Sequence, residues 1–317
     1  MEQSTETKNV YDLIIVGAGP AGLGASIYAS RYKMNHVVIG GQIGGQVTEA
    51  SNIENWAGIE SISGADLMNN FRKHAEKFGT EILTGLVDKA EKVGDNYRVS
   101  TDDGRHFEGK SIILALGMKS RKLDIPGEDA LVGKGVSYCA TCDAMFFRGK
   151  DVAVIGGGDA AATAALHLAE FANKVYMLYL KEGLFLEPTW QEKIKANPKI
   201  EMICCAKISH ILGEAEGRVT GIAYDQEDGS QEKAVQGVFI EIGSVPGVAL
   251  AHELGVKTDE QDYIIVDQKQ ETNVDMVYAA GDVTTGSNKF RQIITAVAEG
   301  AVAAGGIYKE LKLGKKS

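Results

Sequence analysis

Short apolar runs that end in glycine alternate with small-residue helical patterns along this chain, which predicts an α/β fold. The first run, residues 11–16, has strand length and leads directly into Gly17-Ala18-Gly19-Pro20-Ala21-Gly22. A helical pattern of apolar residues follows over 25–29. A strand, a G-x-G-x-x-G turn and a helix in this order are the context of a dinucleotide-binding fingerprint. The alternative is a glycine-rich turn without a ligand.

Each glycine of this turn has a separate task in a dinucleotide site. Gly17 allows the tight turn, Gly19 lets the backbone approach a pyrophosphate, and Gly22 lets the helix lie close to the strand. The helix N-terminus would offer unpaired N–H groups to the phosphates. The next strand, residues 36–39, ends in glycine instead of the acid that usually holds a ribose hydroxyl. We therefore expect the ribose contact from the loop Gly40–Gln46.

A second fingerprint indicates a second nucleotide-binding domain. The apolar strand 151–155 leads into Gly156-Gly157-Gly158-Asp159-Ala160-Ala161, and a small-residue helix follows over 164–171. Two bound nucleotides in one chain usually mean that electrons pass between two cofactors. The fold class is thus predicted as α/β with two Rossmann-like domains.

The second domain is predicted to be inserted into the first. A buried strand at 111–117 precedes a polar connector at 119–124, and a matching strand at 238–243 precedes the Pro246-Gly247 turn. Two short connectors permit a hinge. The predicted first domain is residues 1–117 with 248–317, and the second is 118–247.

A further apolar strand, residues 276–280, ends in Gly281-Asp282 and is followed by a helical pattern from Arg291 to Ala304. Asp282 could accept a hydrogen bond from a sugar hydroxyl, and the helix behind it could stabilise negative charge in front of it. The alternative interpretation of Asp282 is a helix N-cap.

Composition narrows the classes of function. The chain has 317 residues, with 33 basic against 43 acidic residues and a net charge of -10. An acidic chain without a basic cluster is a poor candidate for binding nucleic acid. No apolar run approaches membrane-span length, and Met1–Lys8 has no apolar signal core. We expect a cytoplasmic protein that binds no membrane.

The four cysteines are Cys139, Cys142, Cys204 and Cys205. In a reducing compartment, the C-x-x-C spacing of the first two indicates redox catalysis or a metal more than a structural staple. A zinc half-site is the alternative, but zinc needs about four ligands, and the histidines lack ligand spacing near either pair. Cys204 and Cys205 follow an apolar strand and are expected to be inert core residues.

These features together resemble the low-molecular-weight thioredoxin reductases over nearly the whole chain. The most specific feature is Cys139-Ala140-Thr141-Cys142-Asp143 followed closely by the second fingerprint. The other carrying segments are 17–22, Gly44-Gly45-Gln46, Glu54-Asn55-Trp56, 156–161, Gly281-Asp282-Val283 and Arg291-Gln292.

The resemblance implies the two-dinucleotide-binding flavoprotein fold, with FAD in the discontinuous domain, a pyridine-nucleotide-type inserted domain and a homodimer. It implies that Cys142 is the sulfur nearer the flavin and that Cys139 attacks the partner's disulfide. Asp143 adjoins Cys142 and could protonate the leaving thiolate, because a carboxyl near a flavin in an apolar site can keep its proton. The implied FAD contacts are Gly17, Gly19, Pro20, Ala21, Gly22, Gly40, Gly45, Gln46, Asn55, Gly117, Gly281, Asp282, Arg291, Gln292 and Ile293. The implied pyridine-nucleotide contacts are Gly156, Gly158 and Asp159.

The chain departs from the family after the second strand of the inserted domain. Members that use NADPH carry a His-Arg-Arg run there, whereas this chain reads Tyr179-Leu180-Lys181-Glu182-Gly183. One lysine does not replace a pair of guanidinium groups on a 2′-phosphate. NADH users carry an acid where Tyr179 stands. The resemblance is closest to members that use NADPH poorly and take electrons from ferredoxin, a deazaflavin or another donor, but NADPH and NADH stay open.

The leading hypothesis is a reductase that passes electrons from a donor through FAD and Cys139–Cys142 to a thioredoxin-like protein. A second hypothesis reverses the chemistry: an oxidase that forms a disulfide in a small dithiol and gives the electrons to oxygen. A third is an FAD-binding protein without catalysis, with the disulfide as a relic.

Overall fold

The computed structural model describes residues 10–50, 52–181, 183 and 186–313. Met1–Lys8, in which no signal core was expected, and Glu182 of the departing segment lie outside this range. The strands are β1 (Leu13–Val16), β2 (His36–Gly40), β3 (Glu81–Thr84), β4 (Val87–Val93), β5 (Asn96–Thr101), β6 (His106–Gly109), β7 (Ile112–Leu114), β8 (Met118–Ser120), β9 (Val136–Ser137), β10 (Asp151–Ile155), β11 (Lys174–Tyr179), β12 (Ile200–Cys204), β13 (Lys207–Leu212), β14 (Gly221–Gln226), β15 (Gly229–Ala234), β16 (Gly237–Ile240), β17 (Ser244–Pro246) and β18 (Val277–Ala279).

The helices are α1 (Pro20–Arg31), α2 (Gly64–Lys77), α3 (Glu128–Leu131), α4 (Ala140–Asp143), α5 (Asp159–Phe171), α6 (Pro188–Ala196), α7 (Ala249–Glu253) and α8 (Ile293–Leu313). Short 3₁₀ segments span Gly45–Glu49, Ala144–Phe147 and Gly286–Lys289.

The chain divides into two compact units. Unit 1 comprises Met1–Lys119 and Pro246–Ser317, and unit 2 comprises Ser120–Val245. The division falls two residues from each boundary expected from the sequence. The connecting strands β8 and β17 pair with each other as a two-stranded sheet.

Unit 1 is built on a parallel sheet with strand order β18-β7-β1-β2-β3. Its strands β18, β7 and β1 are apolar and buried throughout, as expected of strands covered on both faces. One face packs on α1 and α8, and the other packs on the antiparallel sheet β4-β5-β6. This arrangement aligns the carboxyl ends of β1, β7 and β18 at one edge, where α/β sheets bind ligands.

Unit 2 repeats the plan with the parallel order β12-β11-β10-β16-β9. Helix α5 lies on one face, and the antiparallel sheet β13-β14-β15 lies on the other. The phosphate-type turn of each unit therefore follows a fully buried strand, β1 or β10, and precedes a helix rich in small residues. Within the described part of the chain, no helix combines the length and apolar character of a bilayer span.

Candidate active site

A cleft of about 1170 Å³, counted to its open mouth, lies at the carboxyl edge of the unit 1 sheet. Thirteen of the fifteen residues that the resemblance assigned to FAD line it: Gly17, Gly19, Pro20, Ala21, Gly40, Gly45, Gln46, Gly117, Gly281, Asp282, Arg291, Gln292 and Ile293. Residues from both ends of the chain thus form one concave surface. The first turns of α1 and α8 belong to it, and their N–H groups lack partners within the helix.

The other two assigned residues, Gly22 and Asn55, do not line the cleft but support residues that do. A Cβ on Gly22 would stand 1.8 Å from the Gly17 carbonyl oxygen, so Gly22 lets α1 lie against the turn. Gly17 itself has φ +116°, a left-handed conformation that favours glycine. The Asn55 amide donates a hydrogen bond to the Gln292 side chain (3.0 Å) and orients that residue.

Sequence reasoning missed several lining residues: Ala18, Gly41, Gln42, Val47, Leu86, Ala115, Leu116, Met118, Ala280 and Ala296. Gly41 and Gln42 belong to the loop Gly40–Gln46, from which a ribose contact was expected. Most of the others are apolar residues at strand or helix ends, which the sequence alone does not separate from the core.

Asp282 does not cap a helix, because α8 begins only at Ile293. The N-cap alternative is therefore wrong. Burial raises the pKa of Asp282 to about 6; the Glu299 carboxylate adds to this rise, and the Arg291 guanidinium opposes it.

Glu299 was not identified from the sequence. It lies on α8 with 5% of its surface exposed. Its Oε2 accepts hydrogen bonds from the Gly281 backbone N–H (2.8 Å) and the Thr284 hydroxyl (3.1 Å). Glu299 thus fixes the turn that presents Asp282 to the cleft. The available signal was a single acid among the small and apolar residues from Ile293 to Ile307.

The cleft fits FAD. Its glycine turn lets a pyrophosphate approach the start of α1, and Asp282 offers an acceptor for a sugar hydroxyl. Its walls are otherwise lined mainly by small and apolar side chains, as expected of a cofactor site.

Cys139 and Cys142 form a disulfide in unit 2. Cys139 precedes α4, and its Sγ accepts a hydrogen bond from the Cys142 backbone N–H (3.1 Å). The Cys139 N–H in turn donates to the Ser137 hydroxyl (3.0 Å), on the edge strand β9. Cys139 is half-buried and Cys142 is exposed. Because the sulfurs are bonded to each other, neither is a thiolate ligand, so the zinc half-site does not describe this state.

The segment after Cys142 exposes apolar surface. Met145 and Phe146 are 67% and 72% exposed. Phe146 and Asp143 line a groove that also contains Lys134, Lys150 and Arg218 among its residues. An exposed phenylalanine in a basic groove beside a disulfide is unlike ordinary solvated surface.

The second fingerprint has the phosphate-turn conformation. Gly156 has φ +148°, and a Cβ there would stand 2.1 Å from the Glu241 carbonyl oxygen. Gly158 is extended at the start of α5. The Asp159 carboxylate is not free to contact a ligand at the turn, because it accepts a hydrogen bond from the Glu187 backbone N–H (2.8 Å).

Tyr179 ends β11 at the position where nucleotide selectivity was expected. Burial raises the Tyr179 pKa, and the neighbouring Cys204 adds to this rise. Cys204 and Cys205 are half-exposed, so their assignment to the core was wrong. Cys204 ends β12, an edge strand in which no residue is fully buried, and Cys205 follows it with φ +58°.

Comparison with known proteins identifies the family. Residues 11–300 match the family model described as pyridine nucleotide-disulphide oxidoreductase. A thioredoxin reductase of Bacillus subtilis is 37% identical over 300 residues, covering 94% of this chain and 93% of that protein.

Two solved structures are also informative. Thioredoxin reductase of Lactococcus lactis in its FR conformation is 38% identical with TM-score 0.88, over 94% of this chain and 98% of that one. A ferredoxin-flavin thioredoxin reductase of Clostridium acetobutylicum is 32% identical with TM-score 0.52, over 96% and 98%. The predicted fold class and the family resemblance are confirmed. The chain therefore belongs to the pyridine nucleotide-disulphide oxidoreductase family, as an FAD-dependent oxidoreductase acting on a disulfide with the fold of the low-molecular-weight thioredoxin reductases.

Proposed function

We propose that this protein is a thioredoxin-disulfide reductase in which FAD supplies two electrons to Cys139–Cys142 and the resulting dithiol reduces a thioredoxin-like protein. The observation that carries this proposal is the hydrogen bond from the Cys142 N–H to the Cys139 sulfur. A hydrogen bond to the charged form of an acid lowers its pKa. Once the disulfide is reduced, this N–H would stabilise a Cys139 thiolate, which is the form that attacks disulfides.

The thiol–disulfide exchange with the partner proceeds in two steps. The Cys139 thiolate attacks one sulfur of the partner's disulfide, forming a mixed disulfide and releasing the partner's other sulfur as a thiolate. Asp143, which follows Cys142 directly on the same segment, is proposed to protonate this leaving group. The Cys142 thiolate then attacks Cys139, which restores Cys139–Cys142 and releases the reduced partner.

The exposed side chains of Met145 and Phe146 support a protein partner instead of a small dithiol, because a small molecule needs no apolar surface outside the disulfide. The basic groove beside them favours a partner with acid groups near its disulfide. The sulfurs cannot meet the flavin and a protein at once, so we propose that unit 2 rotates on the β8 and β17 connectors between two orientations.

The electron donor is proposed to be ferredoxin or another donor in place of NADPH. In the sequence from Tyr179 to Leu186, Lys181 is the one basic residue. Tyr179 lies beside Cys204, and the Asp159 carboxylate is held by the Glu187 backbone N–H, so neither side chain supplies a cation for a 2′-phosphate. The similar protein of Clostridium acetobutylicum is a ferredoxin-flavin thioredoxin reductase, which supports a ferredoxin donor here. NADPH and NADH are the alternatives.

We also propose a homodimer in the cytoplasm. Ile294 and Val302 lie two turns apart on one face of α8 and are 45% and 44% exposed. The cytoplasm is proposed because a dithiol that reduces other disulfides works in a reducing compartment.

An anaerobic donor screen tests the proposed function. The purified yellow protein is mixed with NADPH, NADH, reduced ferredoxin or dithionite, and the flavin band is followed before and after addition of an oxidised thioredoxin. We expect bleaching by dithionite and reduced ferredoxin, and recovery of the band with the partner's disulfide reduced.

Bleaching by micromolar NADPH would overturn the proposed donor but not the reductase. Hydrogen peroxide released in step with oxidation of a small dithiol would instead identify the oxidase. A Cys142→Ser variant with full activity would identify the disulfide as a relic.

A further inference from the structure

A buried carboxylate in unit 2 accepts three hydrogen bonds from two separate segments, one on each side of it in the sequence. Glu128, the first residue of α3, is 2% exposed. Its Oε1 accepts the Leu123 backbone N–H (3.0 Å) and the Tyr138 hydroxyl (2.6 Å), and its Oε2 accepts the Asp124 backbone N–H (2.7 Å). A buried charge persists only when it is paired or fully hydrogen-bonded, and these donors satisfy it.

Two of these donors lie at the end of the connector that enters unit 2. Asp124 has φ +55°, an uncommon conformation for a residue other than glycine. Its N–H bond to Glu128 helps to hold it there. Leu123 and Ile125 on either side pack into the apolar cluster of unit 2. The connector is therefore anchored from Leu123 onward, and its freedom to bend lies before that residue.

The third donor immediately precedes the redox turn. Tyr138 follows β9 and is adjacent to Cys139, and its ring packs into the same cluster as Leu123 and Ile125. Burial, together with the neighbouring Glu128 carboxylate, raises the pKa of Tyr138 above its usual range. The phenol therefore stays protonated and donating at every pH at which the enzyme would work.

We infer that Glu128 is a positioning residue for disulfide reduction, because its carboxylate joins the anchored end of the connector to the turn that carries Cys139. This inference rests on the proposed function. Through Tyr138, Glu128 holds the backbone geometry in which the Cys142 N–H reaches the Cys139 sulfur. It also makes the redox turn follow the connector as one body when unit 2 changes orientation.

The decisive variants are Tyr138→Phe, which removes one donor and keeps the ring, and Glu128→Gln, which removes the charge at nearly constant size. Tyr224→Phe is the matched control, because Tyr224 is also buried in this cluster, on β14. Three measurements are made on each protein: FAD content, the pH profile of iodoacetamide alkylation at Cys139 after reduction, and kcat and KM for an oxidised thioredoxin.

We expect unchanged FAD content, an alkylation profile displaced to higher pH, and kcat lowered about tenfold with KM within about twofold, as loss of one hydrogen bond to a charged group allows. Glu128→Gln should change the alkylation profile and kcat more than Tyr138→Phe does. If Glu128→Gln does not fold, Tyr138→Phe alone decides the question.

Tyr138→Phe that matches Tyr224→Phe in both the alkylation profile and kcat would overturn the inference. The alkylation profile needs no partner and no donor. A wild-type protein that reduces no thioredoxin would therefore refute the proposed function and still leave the role of Glu128 measurable.

Discussion

Cys139 and Cys142 have different surroundings although they are three residues apart. The Cys139 sulfur accepts a backbone N–H, whereas Cys142 supplies that N–H and is itself exposed. Under the proposed roles, in which the Cys139 sulfur attacks and the Cys142 sulfur resolves, single substitutions should fail at different steps.

Cys139→Ser and Cys142→Ser should each reduce a thioredoxin at less than about 1% of the parent's rate, because each removes one of the two sulfurs of the cycle. Cys142→Ser should still trap a mixed disulfide with the partner, and Cys139→Ser should not. Non-reducing electrophoresis with mass spectrometry checks this difference. Cys204→Ser is the control and should keep full activity; an active Cys139→Ser would contradict the assignment.

Asp282 has a pH-dependent effect on folding that can be measured without cofactor. Its pKa in the folded chain is about 6, above its ordinary 3.8. The folded state therefore binds more protons than the unfolded state between about pH 4 and pH 6, so the free energy of unfolding falls as pH rises through this window. Above about pH 6 the full penalty of the buried charge is present.

Asp282→Asn should remove that penalty. In FAD-free protein we expect urea unfolding to show the variant more stable on the order of 2 kcal/mol at about pH 8, with the gain vanishing toward about pH 4. Equal differences at both pH values would show that Asp282 is not a buried charge in the folded chain.

At the scale of elements, close contact between α1 and α8 holds the two halves of the cleft together. A Cβ on Gly300 would stand 2.1 Å from the Ala21 carbonyl oxygen. Gly305 is on the same helix but would meet nothing nearer than the Tyr32 hydroxyl, at 3.6 Å. Gly300 and Gly305 therefore differ in how closely they are packed, although both have the same intrinsic helix propensity.

Gly300→Ala should destabilise the fold by about 1–3 kcal/mol and lower FAD occupancy, because α8 must move away from α1. Gly305→Ala should be neutral or stabilise by up to about 1 kcal/mol, because alanine favours the helix. Urea unfolding and the flavin-to-protein absorbance ratio measure both effects. Similar losses in the two variants would contradict the proposed contact.

The elements that the sequence predicted well depend on local sterics. Gly17 and Gly156 were identifiable because a left-handed turn between a buried strand and a helix restricts the residue at that point. The features that escaped depend on tertiary contacts. Glu299 meets Gly281, and Glu128 meets Tyr138, through hydrogen bonds that no spacing rule encodes. Cys204 and Cys205 were misjudged because the sequence does not show that β12 is an edge strand without a fully buried residue.

At the scale of the whole molecule, the exposed face of α8 predicts self-association. We expect a dimer by light scattering, and Val302→Glu should shift it toward monomer because a charge would be buried in an apolar contact. Lys257→Glu, at an exposed position outside α8, is a charge-changing control and should remain a dimer. A monomeric parent protein would refute the proposal.

The cleft of unit 1 is lined by residues between 17 and 118 and by residues between 280 and 296, with all of unit 2 encoded between these two stretches. On the ribosome, the inserted unit can complete its own sheet while the surrounding one still lacks β18 and α8. FAD can then bind only when translation has nearly finished. Nascent chains stalled before residue 281 should therefore contain a folded redox turn and no bound flavin.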